Sequence, residues 1–326
     1  MSVDDRGARP DGAEAAASAA TFRAGFGCLV GRPNTGKSTL VNAMVGQKVV
    51  ITSSKPQTTR RVVRGIVNRP EGQLVLVDTP GVHRPRTLLG SRLNDEARSA
   101  IAEVDVKVLT VPADEPVGPG DRFIAQELLV PGRAPRLVVV TKADTVRPDV
   151  MATQLVAVTR LADDLGFEWD EVVPVSARDG FQVDLLTSLL LERVPLSPPL
   201  FETGDDAAVS DLPLDEWIAE LVREAALEGV HDELPHSLAV VVNEVVPRED
   251  RPADRPLTDV HATVFVERDS QKAIIIGKRG ERLASVGRRA RAEIEQVLGG
   301  PVYLDLHVTV AKDWQRDPRQ LRKLGF

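Results

Sequence analysis

The segment Gly31-Arg32-Pro33-Asn34-Thr35-Gly36-Lys37-Ser38 limits what this chain can fold into more than any other stretch. It is a G-x-x-x-x-G-K-[ST] loop, preceded by the apolar run Gly25–Val30 and followed by a helical pattern over Thr39–Val45. A strand, this loop and a helix in that order form a phosphate cradle. The glycines let backbone N–H groups turn inward, and the helix start adds partial positive charge. Lys37 is expected to reach the β- and γ-phosphates, and Ser38 to ligate Mg²⁺.

The surrounding pattern predicts an α/β domain. Short β-branched runs recur at Leu74–Val77, Val106–Val111, Leu137–Val140 and Val172–Val175, with helical patterns between them. Runs apolar on both faces and separated by helices predict a mostly parallel sheet covered by helices on both sides. Val62–Val67 alternates imperfectly and reads as an edge strand.

Polar turns end several of these runs, and ligands of such sheets bind at the strands' C-terminal edge. Asp78-Thr79-Pro80-Gly81 follows Leu74–Val77. Asp78 is placed to hold Mg²⁺ through water, and the Gly81 N–H to touch a γ-phosphate. That would couple the loop beginning at Val82 to the nucleotide state. Thr141-Lys142-Ala143-Asp144 follows Leu137–Val140. A carboxylate at Asp144 can accept guanine N1–H and N2–H, which adenine lacks, while Lys142 lays its stem across the ring. Ser176-Ala177-Arg178 follows Val172–Val175, where the Ala177 N–H can donate to guanine O6. Each turn alone is ordinary; in this order at one sheet edge they predict a guanine-nucleotide site.

At 326 residues the chain has room for about two domains. Four prolines fall between Pro195 and Pro213, which predicts a linker over 194–213. Residues 1–23 read as a disordered extension, 24–193 as the nucleotide domain and 214–326 as a second domain. The second domain has the pattern α-β-β-α-α-β: a helix over 214–228, strands at Leu238–Val246 and Thr258–Glu267, two helices split by Gly277–Gly280, and a strand at Val302–Val310. The net charge is −7, yet from Lys272 onward 12 Lys and Arg face 6 Asp and Glu. A basic end on an acidic body predicts a polyanionic partner there. The single cysteine, Cys28, excludes an internal disulfide and suits a reducing compartment. No apolar run reaches the roughly 18 residues of a membrane span.

Gly277-Lys278-Arg279-Gly280 is a G-x-x-G loop between Ala273–Ile276 and a basic helix over Glu281–Val297. This context resembles a type II KH domain, where the loop clamps four nucleotides of a single strand. The resemblance implies RNA contacts from Lys278 and Arg279, with Arg282, Arg288 and Arg289 along the helix. Ile274, Ile275 and Ile276 divide between core and the apolar floor beneath stacked bases, Ile275 and Ile276 being the expected floor. Trp314 reads either as a stacking aromatic or as an anchor for the terminal segment.

The four sheet-edge motifs resemble GTPases of the translation-factor-related class. Pro56-Gln57-Thr58-Thr59-Arg60 resembles their switch I, implying that Thr59, or else Thr58, closes on Mg²⁺. Together with the second domain, G-R-P-N-x-G-K-S-T-L, P-Q-T-T-R, D-T-P-G-V-H, E-L-P-H-S over 233–237 and I-I-G-K-R-G resemble the Era family of ribosome-assembly GTPases. The match runs over about residues 24–326. It implies GTP binding and hydrolysis, Mg²⁺, and binding of 16S rRNA near its 3′ end during 30S assembly. It further implies a cytoplasmic monomer, with peripheral membrane contact also attributed to such proteins.

Three positions refine this. Val82 stands where Ras-like proteins place a water-orienting Gln, so intrinsic turnover should be slow. The resemblance implies that Asn34 helps coordinate K⁺ near the phosphates, as in similar GTPases; the alternative is a simple turn residue. Thr141 replaces the usual Asn of N-K-x-D and has one donor where the amide has two, which predicts weaker nucleotide binding. Two other readings stay open: a signalling or membrane-associated switch whose second domain binds protein, and an RNA-binding protein with a vestigial nucleotide site.

Overall fold

The computed structural model describes residues 21–53, 55, 58–81, 87–129, 132–204, 207–230, 234–249, 251–252 and 255–326. Pro56, Gln57, Val82, His83, Glu233 and residues 1–20 lie outside the described residues.

Six strands form the first sheet: β1 (Arg23–Val30), β2 (Val63–Arg69), β3 (Gly72–Asp78), β4 (Val106–Pro112), β5 (Arg136–Thr141) and β6 (Glu171–Pro174). Their order is β2-β3-β1-β4-β5-β6. All neighbours are parallel except β2, which runs antiparallel to β3 at the edge. Every residue of β3 and β4 is buried, the signature of strands covered on both faces. Successive residues of β1 point to opposite sides. Leu29 packs with α1 (Lys37–Val45) and α5 (Val183–Leu191), through Leu40, Val41, Leu186 and Leu190. Cys28 and Val30 pack with α2 (Leu88–Ala102) and α4 (Pro148–Leu165), through Ala97, Ile101, Val158 and Leu161. A short helix, α3 (Pro119–Ile124), lies between β4 and β5.

Two sequence boundaries need correction. The extension expected over 1–23 overruns the sheet. Arg23 belongs to β1, pairs with Gly72 and donates from its guanidinium to the Val194 carbonyl at 2.7 Å. The linker expected over 194–213 is itself docked. The Ala24 N–H donates to the Pro195 carbonyl, and the Ile66 N–H of β2 donates to the Val209 carbonyl at 2.8 Å. The segment thereby satisfies backbone groups that an edge strand would otherwise leave open.

The second unit comprises α6 (Leu214–Leu227), a single turn α7 (Leu234–Ser237), β7 (Ala239–Pro247), β8 (Thr258–Val266), α8 (Asp269–Ile276), α9 (Glu281–Leu298) and β9 (Val302–Val310). β8 pairs antiparallel with β7 and parallel with β9. Leu221, Val222 and Ala226 of α6 and Val286, Ala290 and Ile294 of α9 meet Val260 and Val264 of β8 in one core. A terminal helix that the pattern did not suggest, α10 (Pro318–Lys323), closes a smaller cluster. Leu321, Leu324 and Trp314 pack there on Leu89 and Leu93 of α2.

Candidate functional site

The loop after β1 is shaped by residues with particular steric and backbone demands. A Cβ on Gly31 would lie 2.3 Å from the Thr110 hydroxyl. Gly36 has φ 89° and Asn34 φ 65°, the left-handed conformation that glycine and asparagine adopt most readily. Thr35 shares a 2.7 Å hydrogen bond with Thr110 of β4, which pins the loop to the sheet. The Lys37 ammonium curls back onto the carbonyls of Gly31 and Arg32, at 3.0 and 2.9 Å. Burial lowers its pKa, partly offset by the carboxylate of Asp78. Arg32 turns away, to Asp121 of α3 at 2.8 Å and Glu115 at 3.0 Å, so its side chain braces the loop.

Ser38, Thr59 and Asp78 converge beside Lys37. The Ser38 hydroxyl donates to Asp78 Oδ2 at 2.7 Å, and Thr59 Oγ1 lies 3.1 Å from Ser38 and 3.3 Å from the same carboxylate oxygen. Asp78 is fully buried, and its Oδ1 has no hydrogen-bond partner among the described residues. Burial raises its pKa, against the pull of Lys37, Ser38 and Thr59. Two hydroxyls and a carboxylate with an unclaimed oxygen are the hard donor set that Mg²⁺ takes. Thr58 faces elsewhere, donating to the Lys55 carbonyl at 2.7 Å. Thr79 also turns inward, to the Leu29 carbonyl at 3.3 Å. Pro80 is buried, and Gly81 faces Pro33, whose ring a Cβ would meet at 3.3 Å.

A cleft of about 670 Å³ runs from Gly36, Lys37 and Ser38 to Lys142, Asp144 and Ala177, within the roughly 300–1,000 Å³ of ligand sites. At the far end the Ser176 hydroxyl donates to Asp144 Oδ1 at 2.7 Å and fixes the carboxylate. The Lys142 ammonium lies 3.1 Å from both oxygens of Asp114. The Ala143 N–H donates to the Val175 carbonyl, joining the two base-end turns. Arg178 is mostly exposed at the rim. The Thr141 hydroxyl donates to the Thr35 carbonyl at 2.6 Å, so this threonine supports the phosphate loop despite lacking an amide.

The basic module is brought together only in part. Gly277 has φ 73°, and a Cβ there would lie 2.6 Å from the Arg282 Cβ. Gly280, at φ 81°, starts α9, and Lys278 and Arg279 are exposed between the two glycines. Arg288 is exposed on α9. Ile275 is fully buried in the core and cannot floor an RNA groove; Ile276 is half-buried against the same core, while Ile274 is 51% exposed. The Arg282 guanidinium donates to the carbonyls of Ala226, Glu228 and Gly229, which close the end of α6. It is therefore a helix cap, drawn by the negative end of the helix dipole. Arg289 pairs with Glu228. Trp314 is fully buried and donates to the Ser237 carbonyl at 3.0 Å, so it anchors the tail.

Sequence reasoning missed the residues by which α6 holds the chain at Thr52 and Thr58. The Arg223 guanidinium donates to the Thr58 carbonyl, and Glu224 accepts from the Thr52 N–H at 2.8 Å. Arg223 lies off the Ile218–Leu221–Val222–Ala225 stripe, so periodicity assigns it to solvent.

Comparison with known proteins follows the same division. The model of the 50S ribosome-binding GTPase family matches residues 27–142, and that of the KH domain residues 233–315. GTPase Era of Streptomyces coelicolor is 61% identical over 304 residues, 93% of this chain and 95% of that protein. The chain belongs to the Era family of GTPases. Another member, GTPase Era of Mycobacterium avium, is 58% identical over 94% of this chain and 99% of its own length. Two solved Era structures superpose over 93% of this chain and 99% of theirs. One is Era in complex with MgGDPNP and nucleotides 1506–1542 of 16S ribosomal RNA, with TM-score 0.87 and 38% identity. The other is an Aquifex aeolicus Era variant bound to GDP·AlF₄⁻, with TM-score 0.86 and 37% identity. The fold is thus a P-loop GTPase domain followed by a KH domain. Among the described residues no helix is long and apolar enough to cross a membrane.

Proposed function

We propose that this chain is a GTP-hydrolysing switch of the cytoplasm that binds 16S rRNA near its 3′ end and assists assembly of the 30S subunit. One observation carries the reading. The whole two-domain fold matches, at TM-score 0.87, an Era structure holding both MgGDPNP and nucleotides 1506–1542 of 16S rRNA. The cleft between Ser38 and Asp144 accommodates a nucleotide of that size.

The phosphates lie against backbone N–H groups of the loop between Asn34 and Ser38, with Lys37 turned from the loop carbonyls toward the β- and γ-oxygens. Ser38 and Thr59 hold Mg²⁺ directly, and Asp78 through water. The metal, when bound, neutralises charge on the phosphate oxygens. Asp144, fixed by Ser176, accepts from guanine N1–H and N2–H; Ala177 donates to O6, and Lys142 covers the ring. Asn34, exposed at the loop tip, is the residue that would help hold a K⁺ ion beside the phosphates, where its charge would offset theirs. Turnover is slow on the free monomer. Lys278, Arg279 and Arg288 meet the RNA backbone, with Ile274 beneath a base. GTP closes Thr59 on the Mg²⁺ site, and this opens the KH domain to RNA.

The test is binding of a short RNA from the 3′ end of 16S rRNA, first with a non-hydrolysable GTP analogue and then with GDP. Tighter binding with the analogue, lost in a Lys278→Asp, Arg279→Asp variant, is the expected result. No binding in either state removes the ribosomal assignment, and equal binding in both states removes the switch.

A further inference from the structure

We propose that Arg223, on the KH-side helix α6, is a positioning residue for the GTP state of the nucleotide site, acting through the switch I backbone on Thr59. The inference rests on the switch reading above and adds a residue that none of the nucleotide motifs contains.

Arg223 is 2% exposed, and its guanidinium is held as a fork. Nε donates to Glu220 Oε1 at 2.8 Å, and Nη2 reaches both Glu220 Oε2 and the carbonyl of Thr58. With Glu220 fixing the plane, Nη2 points one way, at the peptide joining Thr58 to Thr59. That peptide sets where the Thr59 hydroxyl lies, 3.1 Å from Ser38 and 3.3 Å from Asp78. Nη1 of Arg223 is buried with no partner among the described residues. A buried cation with an idle donor is a poor device for stability alone.

Neighbouring contacts grip the same segment on either side. Glu224, one residue along α6, accepts from the Thr52 N–H at 2.8 Å and from Lys48. Arg60 donates to the Leu238 carbonyl and lies 5.9 Å from the centre of the Trp314 ring. Arg60, like Arg223, is almost fully buried, so two cations sit beside this segment where the domains meet. Thr52, Thr58 and Arg60 are therefore each held by the second domain, before, at and after Thr58. GDP has no γ-phosphate for switch I to close on, so this hold bears on the triphosphate state.

The experiment uses the full chain and the variants Arg223→Ala and Arg223→Lys, alone and combined with Thr59→Ala. Affinities for GDP and for a non-hydrolysable GTP analogue are measured across a Mg²⁺ titration, with thermal melts alongside. Loss of a charge-assisted hydrogen bond should weaken analogue binding about tenfold in Arg223→Ala and raise the Mg²⁺ needed for half-saturation. GDP affinity should stay within about twofold, since that state does not need the Thr59 contact. Arg223→Lys keeps the charge and one donor, and should recover part of the loss. If Arg223→Ala does not fold, a loss in Arg223→Lys confined to the analogue supports the proposal in its place. On the Thr59→Ala background Arg223→Ala should add nothing, as coupled residues do in a double-mutant cycle. Equal losses for GDP and analogue, no loss at all, or a full effect without Thr59 would each overturn the proposal. If Thr59→Ala itself leaves analogue binding unchanged, the switch reading falls and takes this proposal with it. A failure confined to the Arg223 variants leaves that reading standing.

Discussion

Thr141 directs its only hydroxyl proton to the Thr35 carbonyl inside the phosphate loop, at 2.6 Å, in a buried setting. Thr141→Val keeps the shape and removes the donor, leaving that carbonyl with a lost partner. The expected cost is about 1–3 kcal/mol, read as roughly tenfold weaker GDP binding with guanine still preferred over adenine. Equilibrium titration with labelled GDP and ADP checks both halves. Asp144 sets the preference itself. Asp144→Asn loses one of the two acceptors that guanine needs and gains a donor that matches the xanthine carbonyl. Competition between GDP and XDP should therefore turn toward XDP by at least about tenfold; an unchanged ratio would remove Asp144 as the base reader. Lys37, Ser38, Asp78 and Asp144 could be named beforehand because motif spacing places each at the C-terminal edge of the sheet, Lys37 and Ser38 at the start of α1, Asp78 at the end of β3 and Asp144 in the turn after β5. Thr35 and Thr110, 75 positions apart, could not be paired that way, although their 2.7 Å bond fixes the loop. The same holds for Arg223 and Thr58, whose meeting depends on how two domains dock.

Elements with strong periodicity were legible, and side chains on them less so. β9 matches the expected Val302–Val310 run residue for residue, because β-branched alternation beside a basic helix leaves little choice. α8 illustrates the opposite. Its three consecutive isoleucines carry no phase, and the helix points Ile275 inward and Ile274 outward. The basic face of α9 divides in the same way. Arg282 caps α6 through three carbonyls, whereas Arg288 is free to face a polyanion. Arg282→Ala should lower global stability by about 1–2 kcal/mol, from the lost hydrogen bonds and dipole contact, with RNA affinity altered less than twofold at constant folded fraction. Lys278→Ala should instead leave the melting temperature in place and reduce the slope of log affinity against log salt by about one. Denaturant titrations and salt-series binding curves separate the two outcomes. If Arg282→Ala proves stable but deficient in RNA binding, its side chain must leave the helix end to meet the nucleic acid.

At the scale of the whole molecule, the two domains are joined by far more than a tether. The segment between them runs along β2 through the Ile66 to Val209 hydrogen bond, and Trp314 and Leu321 pack against α2. α6 grips the GTPase domain at Thr52 and Thr58. Any movement of the KH domain is thus a movement against two parts of the GTPase domain, the segment at Thr52 and Thr58 and helix α2, which begins at Leu88. If the analogue tightens RNA binding by some factor over GDP, then RNA must tighten analogue binding relative to GDP by that same factor, because the two form one thermodynamic cycle. Couplings of this kind are typically about 1–3 kcal/mol, so the expected factor is between about 5 and 150. Six dissociation constants settle it: RNA with each nucleotide bound, and each nucleotide with and without saturating RNA, at one salt concentration. Agreement of the two ratios at a value well above one places the switch between the two sites. A ratio of one, with RNA bound tightly throughout, would mean that the docked linker and tail hold the domains in a single arrangement. The nucleotide would then have to act on a partner of the complex rather than on the RNA groove.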